Sequence, residues 1–86
     1  MKLKKEFIVH NSGDEAILVP SGSAGFSGLV RGNETLGAIL DLLKSETTEE
    51  NLIAEMRSRY NAPEGAVESD VAKVLSELRK IGAMEE

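Results

Sequence analysis

Phe26-Ser27-Gly28-Leu29-Val30-Arg31-Gly32-Asn33-Glu34-Thr35-Leu36 divides the chain into two kinds of sequence. Up to Arg31 the run reads as a strand, with Phe26, Leu29 and Val30 as its apolar residues, weakened by Gly28. From Asn33 onward the chemistry is that of a helix start. The Asn33 side chain can accept a hydrogen bond from a free N–H of the first turn, and Glu34 places negative charge at the positive end of the helix dipole.

Upstream of this stretch the sequence reads as strands and turns. Glu6–His10 and Glu15–Val19 are short apolar runs. They are separated by Asn11-Ser12-Gly13-Asp14, a turn in composition, and the second run is stopped by Pro20. This predicts a hairpin. Ser21–Gly25 reads as a loop and Phe26–Arg31 as a third strand. Downstream, Leu36, Ile39, Leu40 and Leu43 fall on one face of a helix in which Gly37 allows close packing. A second helix opens at Thr47-Thr48-Glu49-Glu50, where Thr47 and Glu50 have capping-box spacing. It carries Ile53, Met56 and Tyr60, with Leu52 beside them, and closes at Asn61-Ala62-Pro63. A third helix is expected from about Glu64, or from Ala66 if Gly65 delays it, to Ile81. Its stripe is Val67, Val71, Val74, Leu75, Leu78 and Ile81, and Gly82 is its C-cap. Strands grouped before helices give an α+β class and argue against a parallel βαβ sheet.

The chain of 86 residues is expected to form one domain, 1–86, with a modest core. Its 15 acidic and 10 basic side chains give a net charge of −5. That balance counts against nucleic acid as a partner, because affinity for phosphate comes mainly from basic side chains. There is no cysteine, which excludes disulfides and thiolate metal sites. No run approaches the length of a membrane span. The basic start Met1-Lys2-Leu3-Lys4-Lys5 is followed by an apolar run too short for a signal peptide, so the expected location is the cytoplasm and Lys2, Lys4 and Lys5 are read as a frayed basic end.

Glycines at 22, 25, 28 and 32 resemble a phosphate loop in density only. Gly32 is followed by Asn33-Glu34, where a Lys and a hydroxyl would be needed. His10 is the single imidazole, with no Cys or second His to complete a metal site or dyad. Asp14/Glu15, Glu49/Glu50 and Glu85/Glu86 sit at a turn, a helix start and a tail, the places of solvated charge. These residues supply no catalytic constellation, no metal site and no cofactor site. The reading is of a protein that is not an enzyme.

One feature is left unabsorbed. A small sheet has open edges that must be paired, covered or blunted, and Phe26-Ser27-Gly28-Leu29-Val30-Arg31 carries no Lys or Pro to blunt it. Such an edge can take an extended peptide as an added strand, or pair with a second copy to make a homodimer, or lie under a helix.

Several segments resemble the PqqD family, coenzyme PQQ synthesis protein D and its relatives. They are Val19-Pro20-Ser21-Gly22, Phe26-Ser27-Gly28, Arg31-Gly32-Asn33-Glu34-Thr35, Thr47-Thr48-Glu49-Glu50, Tyr60-Asn61, Asp70-Val71 and Leu78-Arg79-Lys80-Ile81-Gly82-Ala83. Their order and spacing, over nearly the whole chain, carry the resemblance. It implies a three-stranded antiparallel sheet followed by three helices, similar to a winged helix-turn-helix. It also implies a non-catalytic recognition element that binds the leader part of a ribosomally made precursor peptide and presents it to a modifying enzyme, often a radical S-adenosylmethionine enzyme. The leader would lie along the third strand, Phe26, Ser27, Gly28, Leu29, Val30 and Arg31, and beside the third helix at Val67, Asp70, Val71 and Val74. Two positions depart from the family pattern: Gly32 stands where Leu is usual, and no aromatic lies near Leu40. A winged-helix nucleic-acid module and a self-associating structural domain are the rival readings.

Overall fold

The structure is a computed structural model and describes residues 1–12, 14–21, 30–61 and 65–86. In chain order the elements are β1 (Lys2–Leu3), β2 (Phe7–Asn11), β3 (Glu15–Pro20), β4 (Val30–Asn33), α1 (Glu34–Leu42), α2 (Glu49–Arg59), α3 (Ala66–Lys80) and β5 (Met84–Glu85). Strands β2, β3 and β4 form an antiparallel sheet in that order, and β1 pairs with β5 in a separate two-stranded ribbon. The expected α+β architecture, a three-stranded antiparallel sheet followed by three helices, is therefore what the chain adopts.

The hairpin follows from its sequence. Ser12 N–H donates to the Glu15 carbonyl at 2.9 Å, closing the turn, and the register sets Val9 opposite Leu18 and Asn11 opposite Ala16. Alternation then places Phe7, Ala16 and Leu18 in the core, while Ile8 is 49% exposed on the other face. Pro20 lies inside β3 as its last residue, one position beyond the expected end of the run. Among the described residues β4 pairs with Glu15–Leu18, so Pro20 lies past that two-sided part of the strand, where its missing N–H is tolerated.

The helices share the core with the inner face of the sheet. Leu36, Ile39, Leu40 and Leu43 of the first helical stripe are all buried, and burying each stabilises the fold by roughly 1.5–3 kcal/mol. Gly37 brings α1 close to the sheet: a Cβ there would lie 2.6 Å from the Asn11 amide nitrogen and 3.2 Å from the Ala16 Cβ. In α2 the buried pair is Leu52 and Met56, with Ile53 and Tyr60 only partly covered, so the buried stripe is rotated from the one expected. Thr48, not Thr47, caps α2 by accepting from Asn51 N–H at 3.1 Å. The reason is a competing tie: Thr47 N–H already donates to the Met1 carbonyl at 2.9 Å, which holds Thr47 outside the helix.

The two ends of the chain do not fray. Leu3 N–H donates to the Leu43 carbonyl and Lys4 N–H to the Ala83 carbonyl, both at 2.9 Å, and the Leu3 side chain is buried. The Met1 ammonium donates to the Thr47 carbonyl at 2.8 Å. The basic start and the acidic tail are thus strands of one ribbon, with Lys2 opposite Glu85 and Leu3 opposite Met84. Arg79 donates twice to Glu86 Oε1, at 2.8 and 3.1 Å. That hydrogen bond holds the Glu86 carboxyl below its usual range, so its contribution is present above the ordinary carboxylate value and is lost as pH falls through the depressed one.

Gly82 makes the turn from α3 into β5. Its φ of 72° is left-handed. It lets Ala83 N–H reach the Leu78 carbonyl at 2.9 Å and Gly82 N–H the Arg79 carbonyl at 3.1 Å, a Schellman closure. A Cβ at Gly82 would meet nothing within 4 Å, so the cost of replacing it is purely conformational. Gly82→Ala is expected to lower unfolding free energy by about 1–2 kcal/mol, with Gly82→Asn losing less, as read from urea denaturation midpoints.

Candidate functional site

The edge of the sheet away from β2 is β4, whose pairing with β3 sets Leu18 opposite Val30, Ile17 opposite Arg31, Ala16 opposite Gly32 and Glu15 opposite Asn33. No other strand flanks β4 among the described residues. The expected strand was Phe26–Arg31, whereas the described strand is Val30–Asn33. Phe26, Ser27, Gly28 and Leu29 lie outside the described residues. The strand runs on to Asn33 because an N-cap residue keeps extended dihedrals. Asn33, at φ −86° and ψ −170°, is both the last strand residue and the cap that accepts from Leu36 N–H at 3.2 Å. No loop intervenes between strand and helix.

Strand alternation turns Val30 and Gly32 to the same face as Ala16 and Leu18, toward the helices, and leaves Arg31 and Asn33 exposed. Alongside β4 runs a groove of about 280 Å³ between that strand and α3. Val30, Leu36, Val74 and Leu78 supply its apolar lining, and Arg31, Asp70, Lys73 and Glu77 its charged margin. On α3, Val67, Val71, Leu75 and Leu78 face the core, which leaves Val74 half-buried at the boundary. Lys73, Val74 and Glu77 stand three, four and seven residues after Asp70, the face of α3 turned to the strand.

Of the residues expected at the site, Val30, Arg31, Asp70 and Val74 line this groove. Val67 and Val71 do not. They are buried, because the stripe that carries them is the one that closes the core against α2. They line a second hollow of about 240 Å³ with Met56, Tyr60 and Thr35, and Asp70 borders both. Gly32, Asn33, Thr35, Leu36, Lys73, Glu77 and Leu78 were not anticipated as lining residues. The signal for Lys73 and Glu77 was present, since both lie one turn along α3 from Asp70 or Val74.

Gly32 shapes the junction. A Cβ at Gly32 would lie 2.4 Å from Leu36 Cδ2 and 2.9 Å from Leu36 Cβ. The volume a larger residue would occupy here is filled by Leu36 from the first turn of α1, itself buried at the groove.

The model of the coenzyme PQQ synthesis protein D (PqqD) family matches residues 15–83. The chain belongs to the PqqD family. No curated protein matches it significantly. Among solved structures it is similar to TbiB1 in complex with the TbiA(beta) leader peptide, with a TM-score of 0.79 and 19% identity over 99% of this chain and 95% of that one. At that identity the likeness establishes a common fold. The matched region holds β3, β4 and all three helices, and with them every lining residue of the groove. β1, β2 and β5 lie outside it.

Because Leu36 Cβ is fixed by the helix backbone, side-chain rotation alone cannot make room at position 32. Gly32→Ala is expected to destabilise the fold by about 1–3 kcal/mol, measured by urea denaturation. Amide shifts of Val30–Leu36 should move while those of β2 stay in place.

Proposed function

We propose that this PqqD-family protein is a non-catalytic recognition module. It binds the leader segment of a ribosomally synthesised precursor peptide by strand addition at β4 and presents it to a modifying enzyme. That enzyme is of the radical S-adenosylmethionine type, and the setting is biosynthesis of a PQQ-like cofactor or a modified peptide in the cytoplasm. The observation that carries the reading is the conjunction of an edge strand with an apolar groove directly beside it.

The physical logic has two parts. An extended peptide laid against β4 would pair its own backbone groups with those on the strand's outer margin, which supplies affinity with little dependence on sequence. Alternate side chains of that peptide would point into the groove against Val30, Leu36, Val74 and Leu78, which supplies selectivity. Family membership and a fold shared with TbiB1, whose structure contains a leader peptide, support the same reading. The one-chain domain 1–86 would act as an adaptor, with the chemistry done by the partner.

A candidate leader peptide provides the test. Titrated into labelled protein, it should shift the amides of Val30–Asn33 and of α3 from Asp70 to Leu78. Val74→Glu places a charge on the half-buried groove wall and should weaken binding by about tenfold or more, with the unbound spectrum still that of a folded protein. Perturbations confined to other elements would direct the proposal elsewhere.

A further inference from the structure

The basic cluster at the start of the sequence is a built surface. Lys2, Lys4 and Lys5, together with Lys44 from the end of α1, surround a hollow of about 230 Å³. Four of the six lysines of an otherwise acidic chain thus converge at one place. The backbone that carries them is fixed. β1 is paired with β5, Leu3 N–H is held by Leu43 and Lys4 N–H by Ala83. Alternation sends Leu3 into the core and leaves the flanking Lys2 and Lys4 on the other face. Among the described residues, Lys44 alone of these amines has a carboxylate within ion-pair distance, Asp41 at 3.1 Å. Glu85 is the one acidic residue among those lining the hollow. The walls are not wholly polar, since Leu3, Phe7 and Val9 contribute apolar surface.

We infer that this hollow is a docking surface for an acidic segment of a partner protein, one that carries carboxylates together with an apolar side chain. Charge complementarity selects the sign: amines gathered around one concavity repel one another, and a partner's carboxylates remove that repulsion. The apolar wall selects a protein segment over a bare phosphate. The chain's net charge of −5, reached with these lysines included, disfavours a long polyanion such as duplex DNA, which would extend past the patch onto acidic surface. The hollow lies on the β2 side of the sheet, whereas the groove lies on β4, with β3 between them. A peptide on β4 and a partner at the lysines would therefore occupy opposite edges and could be held together. The inference stands whether or not β4 takes a peptide.

The test uses the whole chain and a short Glu-rich peptide with a central Leu, followed by amide shifts at low and moderate salt. The expected response is at residues 2–5, Lys44 and Glu85, leaving Val30–Asn33 unchanged. The double variant Lys4→Glu/Lys5→Glu should lose about tenfold or more in affinity, and Lys4→Gln/Lys5→Gln, which keeps the test readable where charge reversal disturbs folding, should show an intermediate loss. A response unchanged by both double variants would overturn the inference. So would equal or tighter saturation of the same amides by inorganic phosphate or by duplex DNA, because the surface would then be a general anion site.

Discussion

Asn33 ends a strand and begins a helix, and the architecture around the groove depends on that double role. Its extended dihedrals let it pair opposite Glu15, while its side chain accepts from Leu36 N–H and opens α1. With no loop to absorb an error, the position of β4 in the sheet fixes where α1 starts. α1 in turn covers the inner face of β2 and β3 through Ile39, Leu40 and the close approach at Gly37. Gly32 and Leu36 share one space at the same junction: the strand gives up a side chain and the helix supplies one. The groove wall is thus set by the constraint that also sets the core.

The sheet has two margins, and the structure treats them differently. Beyond β2 the first residues of the chain are tied into a ribbon with β5, by backbone bonds to Leu43 and Ala83 and by the buried Leu3. Beyond β4 no strand follows among the described residues, and the strand borders an apolar concavity instead of packing against α3. Among the described residues an unpaired strand margin thus lies next to an apolar hollow, a combination that pairing with an added strand would relieve. The lysine-lined hollow near β1 gives the other margin a different chemistry, so the two sides of the sheet suit two different kinds of contact.

Much of this was legible in the sequence because it rested on local signals. The α1 stripe, the Asn33 cap, the Gly82 C-cap and the hairpin between Glu6 and Val19 each follow from spacing and turn chemistry within a few residues. What was missed was long-range. The β1–β5 ribbon joins residues from the two ends of the chain, and the alternation Lys2-Leu3-Lys4 is too short to announce a strand by itself. The cap of α2 moved from Thr47 to Thr48 because of a bond to Met1, which local spacing does not reveal. The sequence pointed to the third strand and the third helix, the elements that border the groove, yet it could not say which valines of α3 face inward. Val67 and Val71 are on the core side and Val74 is on the groove side, a distinction set by the position of α2.

The account depends on β4 offering free backbone groups to an incoming segment. Residue-resolved hydrogen exchange of the Val30–Asn33 amides, with and without a leader peptide, addresses this directly. In the free protein the outward-facing amides of β4 should exchange rapidly while those of β3 are protected, and the peptide should slow the same β4 amides. Uniform protection of β4 in the free protein, or β4 exchange unaltered at saturating peptide, would contradict strand addition at this edge.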